Sequence, residues 1–483
     1  MSNLSELLPT GGGQNAVDFV ASGTLSSGQT VALNSNGTVS QVSSTGKSFS
    51  ENVGTETQFQ NGNPEWTSAV FDVASGKVVI AYRDTLNLSY GKAVVGTVSG
   101  DTISFGTPVV WLTATANFVT ACYDSVAEKV VVFYTTGTTG YAIVGTVSGT
   151  SISFGSAVTY STQNPAYTGV SFDTSAGKTV TAFTAQSNSN YGTAIVGTVS
   201  GTSISFGSAV VFRSANTQEF ACVYDTNADK TVILYREASV TGAGEGIVGT
   251  VSGTSISFGS AVQFDSASVT VVRGAYDSAT NQVICAYTKA TTKVVLGTVS
   301  GTSISFGAIV SAPTSNSSAY NGVCYDSNVN KIVLTYAYGG ASPYSNGTIA
   351  TGTVSGTTLS FASPVATFNP TTVSEHIAAV YDSTNKKSVI AYGENNASGE
   401  ALVFQPAGSG TNVSDFIGIA AGAISDTATG NINVKGGINE AQTGLTIGSD
   451  YYVQVDGTLS TTSSSVKVGQ AISATTINMM DLT

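Results

Sequence analysis

The stretch Ile143–Val158 reads IVGTVSGTSISFGSAV, and close copies of it recur along the chain. Its core, Gly-Thr-Val-Ser-Gly, occurs six times at spacings of 48 to 55 residues. The six copies of this core begin at Gly96, Gly145, Gly197, Gly249, Gly297 and Gly352. Self-similarity at such a period indicates an array of similar supersecondary units.

A second signature, an aromatic residue followed by Asp, occurs seven times. The acidic residues of this signature are Asp72, Asp124, Asp173, Asp225, Asp277, Asp326 and Asp382. Each Asp is followed five positions later by Lys, or in one copy by Gln282, and ten positions later by Tyr or Phe. We expect the Asp to accept hydrogen bonds from the backbone of a tight turn and the Lys to pair with it.

Each unit contains four short segments rich in β-branched and aromatic residues, separated by Gly, Ser, Asn and Asp. In one copy these segments are Phe220–Tyr224, Thr231–Tyr235, Gly246–Thr250 and Ile256–Val262. The pattern predicts four strands, and four strands in a repeat of this length are typical of a β-propeller blade. The sequence therefore predicts an all-β fold.

The two ends of the repeat region complement each other. The seventh copy has no fourth strand after Ala401–Phe404, whereas the strand-like segment Ser48–Phe59 precedes the first copy. An N-terminal strand that completes the last blade would leave no open sheet edge. We predict a seven-bladed β-propeller over residues 44–411, with six or eight blades as open alternatives.

The two terminal segments share a pattern with each other. Leu25 precedes the turn residue Gly37 by 12 positions, and Leu445 precedes Gly457 by 12 positions. Both turns carry Asn-Gly or Asp-Gly, which are strong hairpin signals. The pattern predicts a small β-barrel or sandwich-like domain with an internal duplication, into which the propeller is inserted. This split domain is predicted to consist of residues 17–43 and 412–483.

The composition limits the functions that are compatible with the chain. Among its 483 residues, 29 are acidic and 17 are basic. So few Lys and Arg residues give no basic patch that could neutralise the phosphates of nucleic acid. No apolar run has the length of a membrane-spanning helix, and Met1–Gln14 lacks the features of a secretory signal. Residues 1–16 are instead expected to form an arm that docks through Leu4, Leu7 and Leu8.

We expect no cofactor and no metal site. His376 is the single histidine, and the chain has no phosphate-binding loop, no GxSxG motif and no zinc-spaced set of His and Cys. The four cysteines lie in apolar strand-like runs and are predicted to be buried free thiols. These cysteines are Cys122, Cys222, Cys285 and Cys324.

The loops on one face of the predicted ring vary between copies, whereas those on the other face repeat almost unchanged. The varied loops carry Trp, Tyr, Asn and Ser, which suits adaptable polar and stacking contacts. The variation predicts a recognition surface. The alternative is that these loop sequences differ only because no function constrains them. The candidate ligand-binding residues are Glu65, Trp66, Arg83, Tyr167, Glu219, Arg236, Tyr320, Tyr344 and Glu375.

A catalytic site is the less favoured hypothesis. The architecture resembles that of propeller glycosidases, which place carboxylates at the mouth of the axial funnel. Here Glu65, Glu219 and Glu375 begin first strands, with Arg273 and His376 at the same level, and two such carboxylates could act as acid and base. No enzyme signature surrounds them, so we expect a non-enzymatic protein.

The repeat Ile143–Val158, together with Tyr-Asp-Ser-x-x-x-Lys, resembles the propeller repeats of virion structural proteins of marine tailed phages. The segment Gly444–Thr462 resembles the small β modules of the same class, and the split domain is similar to capsid decoration domains. The resemblance implies a phage structural protein at the virion surface, made in the host cytoplasm. No site residues are transferred by this resemblance.

In this interpretation the protein is a capsid decoration or fibre protein that forms a homo-oligomer on the particle. It would bind other capsid or tail proteins through residues 1–43 and 412–483 and display the propeller outward. The first alternative is a tail fibre or receptor-binding protein that recognises host surface glycan. The second is a propeller glycoside hydrolase or lyase.

Overall fold

The computed structural model describes residues 15–313, 318–338, 346–363, 365–369, 376–394, 397–464 and 466–479. Regular structure in these residues consists of strands and one short 3-10 turn, Val413–Asp415. None of the described segments forms a helix long and apolar enough to cross a membrane. The chain divides into a central unit, Ser50–Pro406, and a terminal unit made of the residues up to Phe49 and from Ala407 onward.

The strands are numbered in chain order. The terminal unit begins with β1 (Ala16–Val20), β2 (Thr30–Leu33), β3 (Val39–Gln41) and β4 (Lys47–Phe49). The central unit contains β5 (Asn52–Val53), β6 (Thr57–Asn61), β7 (Pro64–Asp72), β8 (Lys77–Asp84), β9 (Tyr90–Ser99), β10 (Thr102–Phe105), β11 (Val109–Leu112), β12 (Asn117–Asp124), β13 (Lys129–Thr136), β14 (Thr139–Ser148), β15 (Ser151–Phe154), β16 (Val158–Ser161), β17 (Pro165–Asp173), β18 (Lys178–Ala185), β19 (Tyr191–Ser200), β20 (Ser203–Phe206), β21 (Val210–Asp225), β22 (Lys230–Glu237), β23 (Ala243–Ser252), β24 (Ser255–Phe258), β25 (Val262–Asp265), β26 (Thr270–Asp277), β27 (Gln282–Lys289), β28 (Thr291–Ser300), β29 (Ser303–Phe306), β30 (Val310–Ser311), β31 (Ser318–Asp326), β32 (Lys331–Tyr338), β33 (Asn346–Ser355), β34 (Thr358–Phe361), β35 (Ala366–Asn369), β36 (Ala378–Asp382), β37 (Lys387–Glu394) and β38 (Ser398–Gln405). The terminal unit resumes with β39 (Gly408–Gly410), β40 (Phe416–Ala420), β41 (Thr429–Val434), β42 (Ile438–Asn439), β43 (Asp450–Val453), β44 (Leu459–Ser460), β45 (Lys467–Ala471) and β46 (Ile477–Asn478).

The central unit repeats one antiparallel pattern, in which the first strand pairs with the second, the second with the third and the third with a short fourth strand. A further short segment then pairs with the other end of the third strand, as β11 does with β9. The third and fourth repeats form one continuous sheet because the long strand β21 belongs to both.

The middle strands of each repeat are almost continuously apolar and buried. Sheets pack on both of their faces, so that a core cluster joins Leu234 of one repeat to Cys285 and Ile304 of the next. Ile304 belongs to the repeated Ile-Ser-Phe segment, whose isoleucine is buried in the described copies at Ile103, Ile152, Ile204, Ile256 and Ile304. Packing between sheets therefore explains why this segment recurs so closely.

The repeats close into a ring. The first strands β7, β12, β17, β21, β26, β31 and β36 contact one another in this order, and β36 contacts β7. In the last sheet, β38 pairs with β5 and β6 from the start of the unit, with Phe404 opposite Val53 and Glu400 opposite Gln58. The prediction of an all-β fold of the β-propeller type is confirmed.

The unit boundaries differ from the predicted positions at 43/44 and 411/412. The observed boundaries lie after Phe49 and before Ala407. The reason is a short two-stranded ladder, in which β4 pairs with β39 and Phe49 lies opposite Gly408. This ladder brings the two ends of the insertion side by side.

The repeated Asp caps the turn between the first and second strands, as predicted. Asp124 accepts the backbone N–H groups of Val126 and Ala127 at 3.0 and 2.8 Å. The predicted pairing with Lys is seen for Lys129 only as a longer-range electrostatic effect. Its positive charge opposes the rise that burial causes in the pKa of Asp124, while Lys129 Nζ donates to the carbonyl of Glu128 at 3.2 Å. The buried Asp is directed into its turn, whereas the long Lys side chain extends to solvent.

Asp326 gives the first testable prediction. It is fully buried and accepts the backbone N–H groups of Asn328 at 2.9 Å and Val329 at 3.3 Å. Burial raises the pKa of Asp326 from 3.8 to about 6. Because the folded chain holds this proton more tightly than the unfolded chain, the contribution of Asp326 to stability falls as pH rises from 3.8 to about 6.

Asp326→Asn replaces the titrating carboxyl with an amide, so we expect it to remove this pH-dependent part of the free energy of unfolding. That part amounts to about 2–3 kcal/mol between low and neutral pH. Urea unfolding of both proteins at a series of pH values will measure it. The difference between variant and wild type should grow in favour of the variant as pH rises to about 6 and then stay constant. A difference that is independent of pH would contradict the assignment.

All four cysteines are free thiols. Cys122, Cys285 and Cys324 are buried and Cys222 is half-buried. Burial raises the pKa of each of these thiols. The prediction of free thiols in the strands is therefore confirmed, and they act as small apolar side chains.

The terminal unit contains two sheets with the same strand order. The first is β1-β41-β40-β2-β3, here called the first module, and the second is β42-β46-β45-β43-β44, the second module. The predicted hairpins are equivalent in detail: Thr38 N–H donates to Asn36 Oδ1 at 3.1 Å, and Thr458 N–H donates to Asp456 Oδ1 at 3.0 Å. The modules share one core, which includes Val42 and Val468.

Candidate functional site

One position in each repeat has an unusual backbone conformation. Six residues before the repeated Asp, a non-glycine residue adopts a φ between 44° and 71°. These residues are Trp66, Phe118, Tyr167, Glu219, Val271, Tyr320 and His376. In six repeats this residue lies in a β-bulge between the first and second strands. The left-handed conformation costs about 1–2 kcal/mol for a non-glycine residue, and such strain concentrates at functional sites.

The bulges turn these side chains toward the middle of the ring. All seven residues line one cavity of about 560 Å³, to which every first strand contributes. The volume lies in the range of small-molecule binding sites. The strained residue of each repeat therefore contributes one side chain to the wall of the cavity.

Five of these side chains form a continuous series of aromatic contacts, which we call the aromatic crescent. Ring centroids are separated by 5.9 Å between Tyr320 and His376 and by 4.8 Å between His376 and Trp66. The series continues with 4.6 Å between Trp66 and Phe118 and 5.4 Å between Phe118 and Tyr167. The crescent spans five consecutive repeats and leaves Glu219 and Val271 to complete the circle.

Glu219 introduces a charged group beside the end of the crescent. Burial raises the pKa of Glu219, and the positive charges of Arg273 and Arg236 and a hydrogen bond from Val271 N–H oppose this shift. Burial also lowers the pKa of Arg273, against the effect of Glu219. Burial and the nearby charge of Glu219 raise the pKa of Tyr167. The carboxylate is therefore coupled to two guanidinium groups and a phenol.

An ion pair lies next to Trp66. Arg83 forms an ion pair with Glu65 and donates a hydrogen bond to Asn117. Arg83 Nε and Trp66 Nε1 are buried but have no acceptor among the described residues. Arg236 Nη1 donates to Gln218 at 3.2 Å, while its Nε also lacks an acceptor in the described part.

His376 is neutral at ordinary pH. Burial, together with the positive charges of Arg273 and Arg83, lowers the pKa of His376 to about 3. The ring therefore contributes an uncharged aromatic face to the crescent between pH 5 and 8.

The structure brings most of the predicted site residues together. Glu65, Trp66, Arg83, Tyr167, Glu219 and Tyr320 all line the cavity, as do Arg273 and His376. Arg236 lies close enough to act electrostatically on Glu219 and Tyr167. Tyr344 and Glu375 lie outside the described residues.

Sequence reasoning missed Phe118 and Val271. Both occupy the position six residues before the repeated Asp, so the fixed spacing could have identified them. Apolar residues inside a strand are typical of core positions, so their residue type alone does not indicate a binding site. Among the described residues, no group of three or more His, Cys, Asp or Glu side chains is arranged to hold a metal ion.

No family model matches the chain, and no curated protein matches it. Among solved structures, the chain is similar to the NanB sialidase from Streptococcus pneumoniae, with 9% identity over 74% of this chain and 71% of that chain and a TM-score of 0.44. It is similar to AofleA from Arthrobotrys oligospora, with 9% identity over 70% and 92% and a TM-score of 0.41. The Dos1 propeller matches with 7% identity over 73% and 95% and a TM-score of 0.45. At these scores, no ligand or activity transfers to this chain.

Proposed function

We propose that the central unit is a seven-bladed β-propeller that binds an acidic saccharide in its axial cavity. The observation that carries this proposal is the aromatic crescent beside the coupled Glu219 and Arg273. Each blade corresponds to one repeat of the strand pattern, and the ring of first strands forms the cavity.

The crescent matches the shape of sugar rings. The apolar face of a pyranose can stack on an aromatic ring, and a curved row of rings can hold two or three sugar units. Binding sites of this kind combine an aromatic wall with a few placed polar groups. The guanidinium group of Arg83, which lines the cavity, would donate hydrogen bonds to hydroxyl or carboxylate oxygens of the sugar.

The charges favour an acidic sugar over a neutral one. Among the described residues that line the cavity, the guanidinium groups of Arg83 and Arg273 balance the carboxylates of Glu65 and Glu219. Arg236, which is close enough to act on Glu219 and Tyr167, adds one positive charge. The difference of one positive charge favours an anionic ligand, and a guanidinium group suits a carboxylate or sulfate through paired hydrogen bonds.

The two tryptophans of the chain allow a direct test. Trp66 lines the cavity, whereas Trp111 packs against Tyr134 in the core between sheets. In the variant Trp111→Phe, Trp66 is the one remaining tryptophan. With excitation selective for tryptophan, we expect its emission to change when an acidic oligosaccharide selected on a glycan array is added. Trp66→Ala should weaken binding about ten- to hundred-fold, as measured by calorimetry, since a central aromatic anchor is lost.

Trp111→Phe is the matched control for this test and should keep the affinity of the wild type. His376 stays neutral between pH 5 and 8, so it should cause no change of affinity over this pH range. An array without any bound saccharide, or equal affinity of Trp66→Ala and wild type, would refute the proposal.

The resemblance to virion proteins supports a second part of the proposal, the location on a phage particle. The terminal unit would attach to capsid or tail proteins, and the propeller would face outward to bind host glycan. The β4–β39 ladder places the ends of the insertion next to each other, so Ser50–Pro406 can be deleted and the flanks joined by a short linker. Particles should retain the truncated chain, and its loss from particles would remove the anchoring role.

A glycoside hydrolase is the second candidate, favoured by the raised pKa of Glu219. A carboxyl group whose pKa is raised is suited to act as a general acid. Its partner would be Glu65, which is held by Arg83. Release of oligosaccharides by the wild type but not by Glu219→Gln would support hydrolysis, whereas binding without product would support recognition alone.

A further inference from the structure

A second ring of residues lies in the axial cavity, two positions further along the first strands than the strained residues. It occupies the position four residues before the repeated Asp, and all seven of its members line the cavity. Six of the seven are small, namely Ser68, Thr120, Gly169, Ala221, Gly322 and Ala378. The seventh is Arg273, so one long and charged side chain stands at a level of the cavity that is otherwise built from small ones.

The course of β7 shows the depth of the cavity. The lining begins at Glu65, next to the start of this strand, and ends at Ala69, three positions before the repeated Asp. The following residues of the strand, Val70 and Phe71, are buried in the contacts between sheets. The cavity therefore opens at the start of the first strands, and the stretch from Glu65 to Ala69 gives it a depth of about 13 Å.

The guanidinium group of Arg273 is directed toward the middle of the ring. Its positive charge acts on Glu219 in the fourth repeat and on His376 in the seventh, although Arg273 itself belongs to the fifth. Its Nη1 donates to the carbonyl of Val272 at 3.0 Å, and in the described part of the chain Arg273 forms no ion pair. Its charge is therefore balanced only at a distance, by Glu219.

The other charged residues of the cavity lie closer to its opening. Glu65 and Arg83 form an ion pair at the level where the lining begins. Glu219 belongs to the strained ring, two positions nearer to the opening than the level of Arg273. Among the described residues that line the cavity, Arg273 is thus the deepest charged group, and an anionic group that reaches it has to be at the leading end of the ligand.

We propose that the cavity binds the end of an acidic glycan and not its middle, with the acidic group of the terminal sugar held by Arg273. This inference rests on the proposed function. The strained ring and the level of Arg273 are about 7 Å apart along the strands, so a terminal sugar that contacts the aromatic crescent would extend its own carboxylate or sulfate to the guanidinium group. An internal acidic sugar would need chain on both of its sides, and all seven first strands wall the cavity.

The test measures the affinity of the full-length chain for two trisaccharides of the same composition by calorimetry. One carries a uronic acid as its non-reducing end sugar, and the other carries the uronic acid in the middle. The wild type should bind the first at least about tenfold more tightly, because only its carboxylate reaches the guanidinium group. A second pair, with a sulfate ester on a neutral sugar in place of the uronic acid, distinguishes the two kinds of acidic group.

Two variants in the cavity should change the affinity for the end-acid trisaccharide in opposite directions. Arg273→Met removes the positive charge and should abolish the preference for the terminal acid. Glu219→Gln removes the negative charge beside Arg273 and should raise the affinity about three- to tenfold. Arg213→Met is the matched control: Arg213 pairs with Glu245 at 2.9 Å and does not line the cavity, so the preference should stay as in the wild type. Circular dichroism will verify that all variants fold.

The outcomes separate this inference from the proposed function. Equal binding of the two trisaccharides, weakened in both cases by Trp66→Ala, would overturn the inference and leave the proposed function standing. A preference that survives in Arg273→Met, or an affinity that does not rise in Glu219→Gln, would overturn the role of Arg273. The inference is also overturned if an acidic saccharide from the array binds and neither end-acid trisaccharide does. An array without any bound saccharide would refute both.

Discussion

Phe59→Ala is expected to lower the free energy of unfolding of the central unit by about 3–5 kcal/mol. Phe59 is 5% exposed and lies on β6, the strand from the start of the unit that pairs with β38 near its end. Its ring lies 5.3 Å from that of Tyr82 and 5.7 Å from that of Phe105, both in the first repeat. The truncation would leave a cavity at the contact between the last and first sheets, where the ring closes.

Urea unfolding of wild type and variant will measure this loss. Val240→Ala is the control, since Val240 is 87% exposed and its truncation should change stability by no more than about 0.5 kcal/mol. If Phe59→Ala proves as stable as the control, the N-terminal strands do not stabilise the closure.

Glu219→Ala is expected to cost about 2–4 kcal/mol of folding stability, because it leaves Arg273 without a counter-charge. Arg273 is half-buried in the cavity, and burial already lowers its pKa. Arg236, the second positive group beside Glu219, would add repulsion once the carboxylate is removed.

A double variant separates the loss of the electrostatic interaction between Glu219 and Arg273 from simple loss of volume. Glu219→Ala combined with Arg273→Met removes both charges and keeps an apolar side chain of similar length. The double variant should recover at least half of the stability lost by Glu219→Ala, measured by urea unfolding at neutral pH. If Arg273→Met adds to the loss instead, the two residues do not stabilise each other.

Periodicity accounts for what the sequence predicted well. The aromatic-Asp and Gly-Thr-Val-Ser-Gly signals recur at fixed offsets, so strands, turns and the duplicated hairpins at Asn36 and Asp456 follow from short-range chemistry. The cavity residues Glu65 and Glu219 were found because charge at the start of a strand is conspicuous. These signals depend only on residues near each other in the chain.

The remaining features depend on three-dimensional packing. The positive φ of Phe118 and Val271 arises from a β-bulge. Phe and Val are ordinary strand residues, so their residue types do not predict a bulge at these positions. The turn lysine Lys129 faces Asp124 in the strand register, yet register does not determine where a long flexible side chain ends. The β4–β39 ladder contains Lys47–Phe49 and Gly408–Gly410, which have no apolar alternation, so the unit boundary was placed a few residues away.

The interleaved order of the two units has a consequence for synthesis on the ribosome. The strands β1 and β2 emerge first, but their partners β41 and β40 are made only after the whole central unit. Likewise β6 has to wait for β38, near the end of that unit. Both sets of strand pairs therefore form late. Until then the nascent polypeptide carries unpaired strand edges that are prone to aggregation. Holding these early strands apart from neighbouring nascent chains is a task suited to a chaperone.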